Sequence, residues 1–201
     1  MLTICIKFSH MHWDHIGDPE RIPRAGIVLG GESRSLLEDA YPPNVNARFL
    51  ALPAGRPIEY IDFAPSGIPF GPFDTAHDLY GDGSLYLIDA PGHVLGHMLA
   101  AARVAPNTFL LLAGDTCHSP FCYAGHSPRT ICKEMYADWE VARATVAKLA
   151  RVDGEMPNVL VMLAHDWKRE REIPLFPEEL KAWAVQTARQ RGSVGPVTEA
   201  K

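Results

Sequence analysis

Ser9-His10-Met11-His12-Trp13-Asp14-His15 decides how this chain is read, because it sets four metal-capable side chains in the pattern H-x-H-x-D-H. Neutral imidazoles and a carboxylate are donors that Zn²⁺ accepts, and Fe, Mn and Co accept them too. Two histidines one residue apart converge on one ion where the backbone is extended or looped. The neighbouring Asp14-His15 pair then points elsewhere, toward a second ion. One short loop thus supplies half of a two-metal site.

The remaining ligands are expected where buried strands emerge from a scaffold, since that is where functional side chains tend to sit. His93 follows the strand-like run Ser84 to Asp89, and Pro91-Gly92 between them signals a turn. Asp115 ends the apolar run that begins at Thr108, and His165 ends the one that begins at Asn158.

Taken in order, H-x-H-x-D-H, then P-G-H, G-D and A-H-D resemble the metallo-β-lactamase superfamily of binuclear hydrolases, over the stretch from about Leu2 to Asp166. The resemblance implies an α/β (α+β) protein, an αββα sandwich. By it, His10, His12 and His93 hold a first zinc, Asp14, His15 and His165 hold a second, and Asp115 bridges both. The spacing from His93 to Asp115 is similar to that of the N-acyl-homoserine lactonases and close to that of the glyoxalase II type. A β-lactamase of the commonest class would carry cysteine where Asp115 stands. Family members also carry a long N-terminal part ahead of the first motif, where this chain has residues 1–9. The resemblance therefore implies an N-terminally shortened member with part of the N-terminal sheet missing.

The function so implied is a zinc-dependent hydrolase with two ions per chain, in which a hydroxide shared by the metals opens a cyclic ester or lactam. Asp14 would pass a proton to the leaving group. Thioester hydrolysis of the glyoxalase II or acyl thioesterase type uses the same seven ligands, and a shortened form lacking its scaffold would be inactive. Lactonases place a tyrosine three residues after the bridging aspartate; His118 stands there in this chain, and either it donates the same hydrogen bond to the substrate carbonyl or the position differs in role. His97 is expected to support the metal loop. His77 and His126 read as surface histidines, and Trp13 and Phe121 as pocket wall or core.

With 201 residues, 47% of them hydrophobic, the chain can bury one sizeable core. A single domain is expected over 1–191, followed by a loose tail over 192–201. No run of about 18 apolar residues marks a membrane span. Met1 to Phe8 lacks a basic leading region and reads as a strand rather than a signal peptide. A net charge of -5 without a basic cluster argues against nucleic acid as partner. The expected partner is a small-molecule substrate, with a homodimer as one way to cover an exposed sheet edge. Cys5, Cys117, Cys122 and Cys132 contain no C-x-x-C pair and read as reduced thiols of a cytoplasmic protein. Cys117, His118, Cys122 and His126 match no closed tetrahedral metal pattern.

Periodicity and turn residues predict strands over Leu2 to Phe8 and Ile27 to Leu29, then a short helix from Ser33, as cap, to about Ala40. Residues 41–72, rich in proline and glycine, read as a long loop, either a wall of the substrate pocket or a plain connector, with one strand at Ile58 to Phe63. Hairpins are expected over Phe73 to Asp89, around Gly81-Asp82-Gly83, and over Met98 to Ala113, broken at Pro106-Asn107. Asp138 is expected to cap a helix to about Arg151, and a last helix to run from near Pro177 to about Arg191.

Overall fold

The computed structural model describes residues 4–63, 67–123, 132–175 and 177–192. Nine strands form two sheets among these residues. β1 (Cys5–Lys7), β2 (Gly26–Gly30) and β3 (Ile58–Ile61) make a parallel three-stranded sheet. β4 (Ile68–Phe70), β5 (Phe73–Asp78), β6 (Leu85–Asp89), β7 (Met98–Ala105), β8 (Thr108–Leu112) and β9 (Val159–Met162) make a six-stranded sheet in sequence order. Its strands are antiparallel except for the β8–β9 pair.

Each sheet is apolar on both faces, so each must be covered twice. Val28 and Ile61 of the small sheet meet Leu87 and Met98 of the large one, closing the interior of the sandwich. On the outer face of the small sheet, Ile27 and Leu29 pack with Phe8, Met11 and Ile16, next to α1 (Trp13–Ile16) and α2 (Arg34–Leu37). On the outer face of the large sheet, Ile88, Leu99, Leu111 and Val161 pack against Val146, Leu149 and Val152 of α3 (Trp139–Glu155). The layers are thus α, β, β and α. α5 (Leu180–Arg191) lays Ala184 and Ala188 on Leu110 and Leu160, covering the end of the large sheet.

Local chemistry explains where several elements start. Asp138 caps α3 by accepting the Val141 N–H at 3.0 Å, and the helix continues past Arg151 because Val152 carries its buried face onward. Asp78 accepts the N–H groups of Gly81 and Gly83, closing the expected turn between β5 and β6. Other expectations are corrected. Ser33 makes no capping hydrogen bond; its hydroxyl is buried beside Gly96, and a 3-10 turn over Gly31–Ser33 leads into a helix of one turn. The last helix starts at Leu180 rather than near Pro177. β4 and α4 (Trp167–Glu170), whose cap is Asp166, had no sequence signal strong enough to place them. Most of the expected tail and His126 lie outside the described residues.

Candidate metal centre and cleft

Strand direction gathers the site. β6 and β8 are each antiparallel to β7, and β9 is parallel to β8, so β6, β8 and β9 all end on the same edge of the large sheet. His93, Asp115 and His165 follow those three ends. Ser9 reaches the same edge from the small sheet, because the Met98 N–H donates to its carbonyl at 2.8 Å. The first motif therefore arrives beside the other three.

Within that motif, Met11 is fully buried in the core on the outer side of the small sheet, and this anchors the segment between His10 and His12. Asp14 and His15 lie in the single turn of α1, closed by the His15 N–H donating to the His12 carbonyl. The Pro91-Gly92-His93 turn is held by α3: Thr145 Oγ1 donates to the Pro91 carbonyl, the Asp138 N–H to Gly92 and the Ala137 N–H to His93. Gly92 has φ 121°, and a Cβ there would lie 2.4 Å from the Ala142 backbone, so only glycine allows that approach.

The donor atoms converge in two groups. His12 Nδ1 lies 2.9 Å from His10 Nε2 and 3.0 Å from His93 Nε2, while Asp115 Oδ2 lies 3.9 Å and 3.5 Å from those two Nε2 atoms. Four donors at the usual Zn–N and Zn–O lengths of about 2.0–2.1 Å stand roughly 3.3–3.4 Å apart in a tetrahedron. The observed separations scatter around that edge. In the second group, Asp115 Oδ1 is 3.3 Å from both His15 Nε2 and His165 Nε2, and Asp14 Oδ2 is 3.6 Å and 3.7 Å from the same nitrogens. One carboxylate thus offers one oxygen to each group.

Hydrogen bonding alone leaves this cluster unsatisfied. His15 Nε2 and Asp115 Oδ1, both in the second group of donors, are buried without a hydrogen-bond partner. Burying such groups is costly unless something pairs them, and a cation would do so. Desolvation lowers the pKa of His10 and His12 and brings that of His93 to about 3, so these imidazoles are neutral and keep lone pairs free. His15 is raised, chiefly by its contact with Asp115. For Asp115, burial works against ionisation, but the contacts with His118 and His15 outweigh it and hold the carboxyl below the usual range.

His97 is buried under the centre, as the sequence led us to expect of a supporting residue. Its Nδ1 donates to the Ala90 carbonyl at 2.9 Å and its Nε2 accepts the Asp115 N–H at 3.1 Å. His118 is half-buried on the cleft side, with Nε2 3.2 Å from Asp115 Oδ2. His77 is exposed on β5, away from the site. The metal-capable groups among the described residues contain no cysteine, and none of the four cysteines is in a disulfide.

Above the donors opens a cleft of about 820 Å³, walled by Trp13, Arg48, Phe49, Met135 and Tyr136. Arg48 and Phe49 come from the long proline-rich segment, and Trp13 stands 71% exposed at the mouth. Phe49 stacks on His12 with the rings 6° from parallel, and Tyr136 meets His93 edge-on. Sequence reasoning missed both: Phe49 lies in a segment without periodicity, and Tyr136 precedes a helix cap that drew attention to Asp138 alone. Phe121 is exposed and does not line the cleft.

No family model matches the chain. The gamma-lactamase MBL2 of Gibberella moniliformis is 35% identical over 201 residues, covering 94% of this chain and 77% of that protein. The metallo-hydrolase mfmC of Annulohypoxylon moriforme is 31% identical, covering 89% of this chain and 56% of that protein. A crystal structure of a B. thuringiensis AiiA mutant with N-decanoyl-L-homoserine bound at its active site shares the fold, with TM-score 0.65 at 18% identity, covering 87% of this chain and 60% of that one. The chain belongs to the metallo-β-lactamase superfamily of hydrolases. It spans between about half and three quarters of the length of these relatives.

Proposed function

We propose that the domain over 1–191 is a binuclear metal-dependent hydrolase that opens a cyclic amide or ester. The observation that carries this reading is the split of Asp115, with Oδ2 among His10, His12 and His93 and Oδ1 among Asp14, His15 and His165. His10, His12 and His93 would hold one ion, Asp14, His15 and His165 the other, and Asp115 both. Zinc suits the neutral imidazoles and the tetrahedral spacing, and Fe, Mn or Co share the donor preference. Two such ions supply Lewis acidity and a hydroxide nucleophile at neutral pH.

The chain's own residues would do the rest. His118, on the cleft side of Asp115, would donate a hydrogen bond to the carbonyl oxygen of a bound ring as charge develops there. Asp14, exposed at the floor of the cleft, would carry a proton to the departing nitrogen or oxygen. Trp13, Phe49 and Met135 would take the apolar body of a small-molecule substrate and keep water from it. Similarity to a gamma-lactamase over nearly the whole chain supports the amide side of the reading.

The test is hydrolysis by chelator-stripped and zinc-restored protein of a γ-lactam, a γ-lactone and an acyl thioester. Zinc-dependent opening of the lactam or lactone is expected. Turnover of the thioester alone would replace the substrate class, and no zinc-dependent turnover of any would contradict the reading.

A further inference from the structure

His118 is placed as no ordinary cleft histidine would be. A histidine that only met substrate would turn its polar edge to the open cleft. Here Nε2 is shielded from solvent, 3.2 Å from Asp115 Oδ2, yet too poorly aligned for a hydrogen bond with it. Its ring stacks on His165 at 5.4 Å and meets His93 edge-on at 5.6 Å, so it leans against one donor histidine from each group. Asp115, His118 and His165 bring one donor atom each within 4.8 Å of one another.

The backbone that carries His118 is held on both sides. Thr116 Oγ1 donates to the Ala113 carbonyl at 2.8 Å, Tyr136 Oη donates to the Thr116 carbonyl, and Cys117 is fully buried in the core beside α3. The imidazole is therefore presented to the cluster by packed structure.

We propose that His118 is itself a metal ligand in this protein, an eighth donor on the Asp115 Oδ2 side that closes the centre until substrate arrives. The inference rests on the reading of the cluster as a metal centre. Catalytic sites keep a position open for water or substrate and accept a fifth donor. An imidazole at that position would compete with the substrate carbonyl, and once displaced it would stand beside that carbonyl as a hydrogen-bond donor. The two roles of His118 are successive.

Cobalt(II) is the probe, loaded to saturation into wild type, His118→Gln and His118→Ala. Glutamine keeps a hydrogen-bond donor of similar length but is a poor ligand, so it separates ligation from hydrogen bonding. Wild type is expected to show the weaker visible absorption of a more highly coordinated ion. Both variants are expected to show a more intense spectrum and to release cobalt to a competing chelator with at least about tenfold lower affinity. Free imidazole added to His118→Ala should restore the wild-type spectrum. Unchanged spectra and affinities in both variants, with two cobalt ions per chain throughout, would overturn the proposal while leaving the metal centre intact. A wild type that takes up no cobalt would overturn both.

Discussion

His97 accepts the backbone N–H of Asp115 at 3.1 Å, and this hydrogen bond joins the two loops that deliver His93 and Asp115. Because Nδ1 donates to the Ala90 carbonyl, the ring is the neutral Nδ1–H form, and desolvation, at a fully buried position, lowers its pKa to about 4. The buried imidazole thus fixes the backbone at Asp115 without touching the cleft. His97→Ala would leave the Asp115 N–H unpaired at a cost of about 1–3 kcal/mol. Metal affinity is expected to fall about 10–100-fold while the fold persists. Chelator competition and circular dichroism on the same samples would check this, and unchanged affinity would dismiss the supporting role.

Asp14 would have two duties, metal ligand and proton carrier, that a leaving-group comparison separates. If it protonates the departing atom, Asp14→Asn should lower kcat for an amide by about 10²–10⁴. An ester with an activated leaving group, which needs no proton, should lose much less. Equal losses on both substrates would reduce Asp14 to a ligand.

Asp89, at the end of β6, has its pKa raised to about 6 by burial and by Glu32 nearby, with Lys148 opposing. The folded state therefore binds more protons than the unfolded one between the ordinary carboxyl pKa and pH 6. Stability falls as pH rises through that window, and the loss is complete above it. Asp89→Asn is expected to raise stability at pH 7.5 by about 1 kcal/mol, allowing for solvent screening of a partly exposed group, with little change at pH 4. Urea titrations at the two pH values would reveal the difference; a variant less stable at pH 7.5 would refute the assignment.

Gly92 tests whether α3 sets the position of His93. In Gly92→Ala the new Cβ would meet the Ala142 backbone, so the turn must move away from the helix. A displacement of about 1 Å at a ligand is enough to cost about 10²-fold in rate. Activity should fall by that order, with weaker metal binding, and a fully active variant would show that the turn adapts.

The site was far more legible in the sequence than the layers that carry it. Seven donors could be named because each motif follows a strand, and strand ends are marked by where apolar runs stop, as at Asp115 and His165. The hairpins of the large sheet were legible for the same reason, since Leu87 and Ile88, or Leu110 and Leu111, serve opposite buried faces and leave continuous apolar runs. Short elements were not. β4 depends on pairing with β5, and α4 on the Asp166 cap, so neither has enough residues to show a period. The start of α5 was misplaced because Pro177 and Glu178-Glu179 look like a first turn while the buried positions, Ala184 and Ala188, begin further on. Phe49 and Tyr136 reach the cleft through tertiary packing, which no local pattern announces.

The central claim is that these side chains assemble a two-metal centre, and the most direct test is elemental analysis of monodisperse protein purified without added metal. Two metal ions per chain are predicted for wild type, falling to one or fewer in Asp115→Ala because both donor groups share that carboxylate. Folded wild-type chains that hold no metal, and take up none when zinc is supplied, would contradict the account.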